Sequence, residues 1–175
     1  MHAIVQLAYD KNQPAIMKDA LLAIVNLTTY AAAAVKIATL DTQPGFILDL
    51  LNLAVKQDCS YADIICSILA NMSRQEECAG VIIKTILENQ ATVGFDKIIS
   101  AFCTIGYNTD AKLHYIGSLL SNLTQLPDTR HYILDKNRCV VQRLLPFTEY
   151  KDSVMRRGGV IATLHNCCFE TGNLC

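Results

Sequence analysis

A five-residue phrase centred on asparagine recurs four times along the chain. It reads Ile24-Val25-Asn26-Leu27-Thr28, Leu69-Ala70-Asn71-Met72-Ser73, Leu120-Ser121-Asn122-Leu123-Thr124 and, in altered form, Leu164-His165-Asn166-Cys167-Cys168. Successive asparagines lie 45, 51 and 44 residues apart. Each phrase closes a segment with apolar residues at helical spacing. A period of about 40–47 residues built from two or three helices is the signature of armadillo and HEAT solenoids. One such unit cannot bury its apolar face alone, so units stack into an extended array. The architecture favours a binding surface over a catalyst.

The apolar segments have a period of 3.6, not 2. Ile65, Leu69 and Met72 share one face, and Ile116, Leu120 and Leu123 form another such stripe. No Asn-Gly or Asp-Gly turn separates alternating runs, so a sheet has no hairpin signal. The predicted helices cover 2–9, 14–29, 31–40, 44–56, 60–73, 76–89, 95–107, 110–125, 127–135, 138–148 and 152–169. Pro14, Pro44 and Pro127 stand at helix starts, where a missing N–H costs nothing. Asp58, Ser60, Asp96, Asp110 and Asp152 are candidate N-caps. The whole chain, 1–175, reads as a single all-α solenoid of about four stacked repeats: a partial unit 1–29, then 30–73, 74–125 and 126–170. Three helices in each full unit favour the armadillo form over the two-helix HEAT form. Both ends read as uncapped, the last unit stopping at Thr171-Gly172-Asn173-Leu174-Cys175 without a polar closing helix.

Composition excludes several classes. Half the residues are apolar and 18% are charged, too apolar a balance for disorder. No run reaches the ~18–20 apolar residues of a membrane helix. The net charge is −1, with −3 over residues 1–125 and +2 over 126–175, and there is no tryptophan. That is neither the basic balance nor the aromatic platform of a nucleic-acid binder. The eight cysteines mostly replace Leu, Ala or Val on apolar stripes, as Cys66 does in Ile64-Ile65-Cys66-Ser67-Ile68, so reduced thiols in cytosol or nucleus are expected.

Three features carry candidate chemistry. The last helix of each armadillo repeat lies on the concave side. Asn26, Asn71, Asn122 and Asn166 would there form a row of carboxamides, each offering a donor and an acceptor to an extended peptide backbone. The alternative is that each asparagine satisfies backbone groups of its neighbours. The second feature is Met155-Arg156-Arg157-Gly158-Gly159-Val160. Two helical glycines cost roughly 1 kcal/mol each against alanine, which calls for a close backbone neighbour or a bend. Arg156 and Arg157 could present planar forks to carboxylates, or form a solvated basic turn. The third feature, Cys167-Cys168 beside His165, lacks paired Cys-x-x-Cys spacing and places its thiols on different helix faces, so core packing outweighs metal binding. No phosphate loop, nucleophile elbow or His-Glu-x-x-His occurs. The expectation is therefore no enzyme, no cofactor and no metal.

The string Arg156-Arg157-Gly158-Gly159-Val160, then Thr163-Leu164, then Asn166-Cys167-Cys168-Phe169-Glu170 resembles the HGH-one homolog family of armadillo-like proteins. The earlier phrases around Asn71 and Asn122 resemble that family's preceding repeats, and the likeness spans about residues 15–170. His165 stands where the family has a basic residue, usually arginine, and family members continue past this string into a second region. The resemblance implies a cytosolic, non-enzymatic chaperone cofactor that bridges translation elongation factor two and the cytosolic chaperonin. The residues alone lead to a protein-binding scaffold without nucleic-acid or membrane partners. Its binding set is Asn26, Asn71, Asn122, Asn166, Arg156 and Arg157. Two rival readings remain. One is an adaptor for a linear motif in transport or signalling, where a basic motif would demand an acidic groove. The other is a cysteine- or metal-dependent enzyme using Cys167, Cys168 and His165.

Overall fold

The structure is a computed structural model that describes residues 2–10, 12–39 and 45–170. The described residues hold twelve α-helices and one 3-10 turn, without a strand among them. The helices are α1 (His2–Leu7), α2 (Pro14–Thr28), α3 (Ala31–Ala38), α4 (Phe46–Ala54), α5 (Ala62–Met72), α6 (Glu76–Glu88) and α7 (Gln90–Val93). They continue as α8 (Phe95–Cys103), α9 (Tyr115–Leu123), α10 (Pro127–Leu134), α11 (Val140–Leu144), the 3-10 turn Leu145–Glu149, and α12 (Val154–Cys167).

Each expected helix is present within a few residues of its bounds, and the short α7 is an addition. Pro14 and Pro127 open α2 and α10. Pro44 and the residues beyond Glu170 lie outside the described set. None of the five expected caps stands at the N-cap of its helix, those positions falling to Tyr61, Gly94, His114 and Ser153. Among the described residues only Ser153, one residue past Asp152, caps a helix by accepting from a first-turn amide, that of Arg156, with its side chain. Asp96 lies inside α8, and Asp110 lies in the connection before α9.

The helices that end the repeats pack in series: α2 on α5, α5 on α9, and α9 on α12. This row runs the length of the molecule, with α3, α4, α6, α8, α10 and α11 against it or beside it. One continuous core results, from Val5 through Ile24, Leu69, Phe102 and Leu120 to Val160. A period-3.6 apolar stripe makes this possible, because every row helix is flanked on two sides and carries apolar residues on both.

The 51-residue interval has a physical counterpart. Its extra residues lengthen α6 and the connection 104–114 between α8 and α9. That connection is tied back to the equivalent connection one repeat earlier. Buried Asn108 donates to the carbonyls of Lys56 and Cys59, both at 3.0 Å, and its side-chain oxygen accepts from the amides of Asp110 and Ala111 at 2.8 Å. Asp63 accepts from the amides of Lys112 at 2.9 Å and Leu113 at 2.7 Å. Leu113 adopts a left-handed backbone with φ 58° as the chain turns into α9.

Candidate functional site

Three of the four asparagines make the same pair of bonds, each to the repeat before it. Asn71 Nδ2 donates to Val25 O at 3.2 Å and Thr28 Oγ1 at 3.4 Å. Asn122 Nδ2 donates to Ala70 O at 2.9 Å and Ser73 Oγ at 3.1 Å. Asn166 Nδ2 donates to Ser121 O at 3.2 Å and Thr124 Oγ1 at 3.0 Å. The acceptors are always the residue before the previous asparagine and the hydroxyl two residues after it. That explains why the phrase carries Ser or Thr at its end. Thr28, Ser73 and Thr124 are buried, and each hydroxyl also donates to a carbonyl of its own helix. The hydroxyl hydrogen is thus spent, so the hydroxyl must accept from the carboxamide, which fixes the amide orientation.

The row therefore holds successive repeats together through its NH2 groups. The side-chain oxygens of Asn71, Asn122 and Asn166 take no bond from another described residue, and all three residues stay partly open to solvent. Asn26 is exposed, with no such bond to a described residue. The structural reading of the asparagines is realised at the nitrogen, while the oxygen takes no bond from another described residue.

The two arginines separate. Arg156 is not a solvated fork: it is 2% exposed. Its guanidinium donates to Phe102 O, to Lys112 O at 2.8 Å and to His114 Nδ1 at 3.2 Å. Its central carbon lies over the rings of Phe102, Phe147 and Tyr150 at 4.4, 5.1 and 5.4 Å. This is a correction to the expectation that both arginines face a partner. A cation at the third position of α12 points inward because the 104–114 connection offers carbonyls there and the aromatic faces offset its desolvation. Burial lowers the Arg156 pKa, and burial followed by the Arg156 charge lowers that of His114. Arg157 is half-buried and donates to Tyr150 O at 2.8 Å.

The paired glycines also divide. A Cβ built on Gly159 would lie 2.3 Å from the carbonyl carbon of Gly117, so α9 and α12 touch backbone to backbone there. A Cβ on Gly158 would meet nothing within 4 Å. At the other end of α12, Glu170 is gripped by two residues of α10. Arg130 Nε donates to its Oε2 at 2.8 Å, and His131 Nε2 lies 3.3 Å from its Oε1. Arg130 also donates to the carbonyls of Thr124 and Gln125, so the end of α9 shares the clamp. These bonds, first among them Arg130's, hold the Glu170 carboxyl below its ordinary pKa.

All seven cysteines of the described residues are free. Cys59, Cys66, Cys78 and Cys167 are buried, Cys103 is half-buried, and Cys139 and Cys168 are exposed. The adjacent pair at the end of α12 thus splits between core and solvent, as its helical spacing requires. Burial raises the Cys167 thiol to about 11. Cys175 lies outside the described residues.

The family described as Domain of unknown function (DUF383) matches residues 53–173. Protein HGH1 homolog from Danio rerio is 44% identical over 97% of this chain and 44% of its own length. The Mus musculus protein of that name is 42% identical over 97% of the chain and 43% of its own length.

The chain belongs to the HGH1 homolog family.

It spans less than half the length of these relatives. The Drosophila melanogaster HGH1 homolog, at 35% identity, is likewise matched over 46% of its length. Among solved structures, the crystal structure of an engineered protein shares the fold at a TM-score of 0.52 and 16% identity, covering 94% of this chain and 78% of that one. Four residues of the string that resembles the HGH1 homolog family have structural roles. Arg156 anchors the 104–114 connection, Gly159 admits α9, Asn166 links to the preceding repeat, and Glu170 closes the clamp with α10.

His114, Asn108 and Asp63 were not singled out as site residues from the sequence, and Arg156 was expected at a partner rather than in the core. The one signal was the longer second interval, which marked added chain between α8 and α9.

Proposed function

We propose that the chain is a non-enzymatic protein-binding solenoid of the armadillo type that serves in the cytosol as a chaperone cofactor. Its client is translation elongation factor two during folding, presented to the cytosolic chaperonin. Membership of the HGH1 homolog family supports this reading, and the row of carboxamides carries it. Asn71, Asn122 and Asn166 sit at equivalent depth in three successive helices with their NH2 groups occupied by the neighbouring repeat. Their oxygens point the same chemistry at whatever lies along the row: acceptors for the amide N–H groups of an extended segment. An extended chain has one unpaired amide per residue, so the row would recognise non-native backbone with little regard for sequence. A folded client has those amides in its own helices and sheets and would be released.

The test is capture by immobilised chain of elongation factor two freshly diluted from denaturant, beside the native factor and an unrelated unfolded protein. Capture of the non-native factor above the native factor is the expected result. Equal capture of the unrelated protein would leave a general unfolded-chain binder, and equal capture of the native factor would overturn the reading.

A further inference from the structure

The three junctions along the row follow one rule, and the rule leaves one donor and one acceptor pair over. At each junction the asparagine of the later helix donates to the carbonyl just before the earlier asparagine and to the hydroxyl two residues after it. Asn26 of α2 is exposed and makes no such bond to a described residue. At the opposite end α12 repeats the acceptor side. His165 stands just before Asn166, and Cys168 stands two residues after it, in the place of Thr28, Ser73 and Thr124. The Cys168 thiol donates to Leu164 O at 3.3 Å, as the Thr28 hydroxyl donates to Ile24 O at 2.9 Å. No carboxamide among the described residues reaches the His165 carbonyl or the Cys168 sulfur.

The apolar levels agree with the bonds. Five residues before its asparagine each earlier row helix has a buried residue, Leu21, Cys66 or Gly117, and Gly117 lies directly against α12. The equivalent residue of α12, Ile161, is 49% exposed. Ten residues before the asparagine, Tyr61 reaches back to Pro14 O and the Arg156 backbone lies beside Gly117. The equivalent residue of α2, Ile16, is 37% exposed. We propose that a second copy of the chain docks here head to tail, with α2 of one copy on α12 of the next. Asn26 then donates to the His165 carbonyl and, more weakly, to the Cys168 sulfur, while Ile16 covers Ile161. The contact continues the series α2, α5, α9, α12 by the junction that already joins its members. The two faces differ, so the association is open and adds further copies rather than closing as a dimer. Asp19, seven residues before Asn26 and level with Gly159, would lose water against α12 and limits the affinity. This inference does not depend on the client proposed above.

The test is analytical ultracentrifugation of the chain over a wide concentration range, with circular dichroism on every variant. The parent's mass is expected to rise with concentration past that of two copies. Ile16→Glu and Ile161→Glu each place a charge on one face at an exposed position, and each alone should stay a monomer. An equimolar mixture of the two should associate and stop at two copies, because each variant keeps the face the other lacks. Leu87→Glu, exposed on α6, should associate as the parent does. Asn26→Ala should weaken association roughly fivefold, the scale of one neutral hydrogen bond, and Asp19→Asn should strengthen it. A parent that stays monomeric throughout overturns the proposal. So does association that stops at two copies and is lost only in Ile161→Glu, which would place α12 against α12. A mixture of the two glutamate variants that fails to associate overturns it as well, and so does a Leu87→Glu chain that loses association as fully as they do.

Discussion

Two adjacent glycines should respond to the same substitution with opposite signs. In Gly159→Ala the new Cβ would sit 2.3 Å from the Gly117 carbonyl carbon, 2.5 Å from its oxygen and 2.7 Å from its Cα. All three contacts are with backbone, so no side-chain rotation relieves them. Restoring ordinary contact near 3.4 Å requires α12 to move about 1 Å from α9. Overpacking of this kind costs roughly 1–3 kcal/mol. The same shift stretches the 3.2 Å bond from Asn166 to Ser121 O, worth about 1 kcal/mol. Alanine's better helix propensity returns about 1 kcal/mol. The net expectation is a loss of about 1–3 kcal/mol, or a melting temperature lower by roughly 3–10 °C for a chain of this size. In Gly158→Ala the Cβ meets open space on an exposed face, leaving only the gain in propensity. Its melting temperature should rise by about 1–4 °C. Thermal unfolding followed by circular dichroism reads both. A Gly159→Ala chain as stable as the parent, or a Gly158→Ala chain that loses as much as Gly159→Ala, would refute the backbone contact between α9 and α12.

Asn122→Ala removes two bonds to the preceding repeat and should cost about 1–2 kcal/mol in urea unfolding, whereas Asn26→Ala, exposed and without such bonds to the described residues, should change stability by less than about 0.5 kcal/mol. Asn108→Ala strands two carbonyls and two amides between connections 55–61 and 104–114 and should lose about 3 kcal/mol or more, with hydrogen exchange rising in both connections. Acid should destabilise the chain in two stages. His114 has a pKa lowered by burial and by Arg156, so its contribution is complete above the ordinary histidine value of 6.5 and is lost as pH falls through it. Glu170 has a pKa lowered by Arg130, so its contribution is complete above the ordinary value of 4.5 and is lost below it. Melting temperatures of His114→Gln and Glu170→Gln measured from pH 7 to 4 should each flatten one stage; a parent chain with unchanged stability over that range would count against both.

The helices and their grouping were legible because a buried row helix must carry apolar residues at period 3.6, and the recurring asparagine marks the same level in each unit. The caps were not legible. Sequence offered acidic residues near each start, but Asp63 and Asn108 serve the amides of a long connection rather than a helix end. The asparagines were legible as equivalent positions, yet a carboxamide has two ends, and only coordinates show which end each neighbour takes. The Arg156-Arg157 pair misled for a related reason. Adjacent helical residues point about 100° apart. One of two arginines can therefore enter the core where carbonyls converge, and those come from residues 44 and 54 positions earlier.

The central claim is that one row of asparagines both joins the repeats and receives extended backbone. The direct measurement is calorimetric titration of a denatured elongation factor two segment into the parent and into the Asn71→Ala, Asn122→Ala double variant, at a temperature where circular dichroism shows both folded. Loss of two neutral bonds of about 1 kcal/mol each should weaken binding roughly thirtyfold. Unchanged affinity in a folded double variant would show that the carboxamides only hold the repeats together.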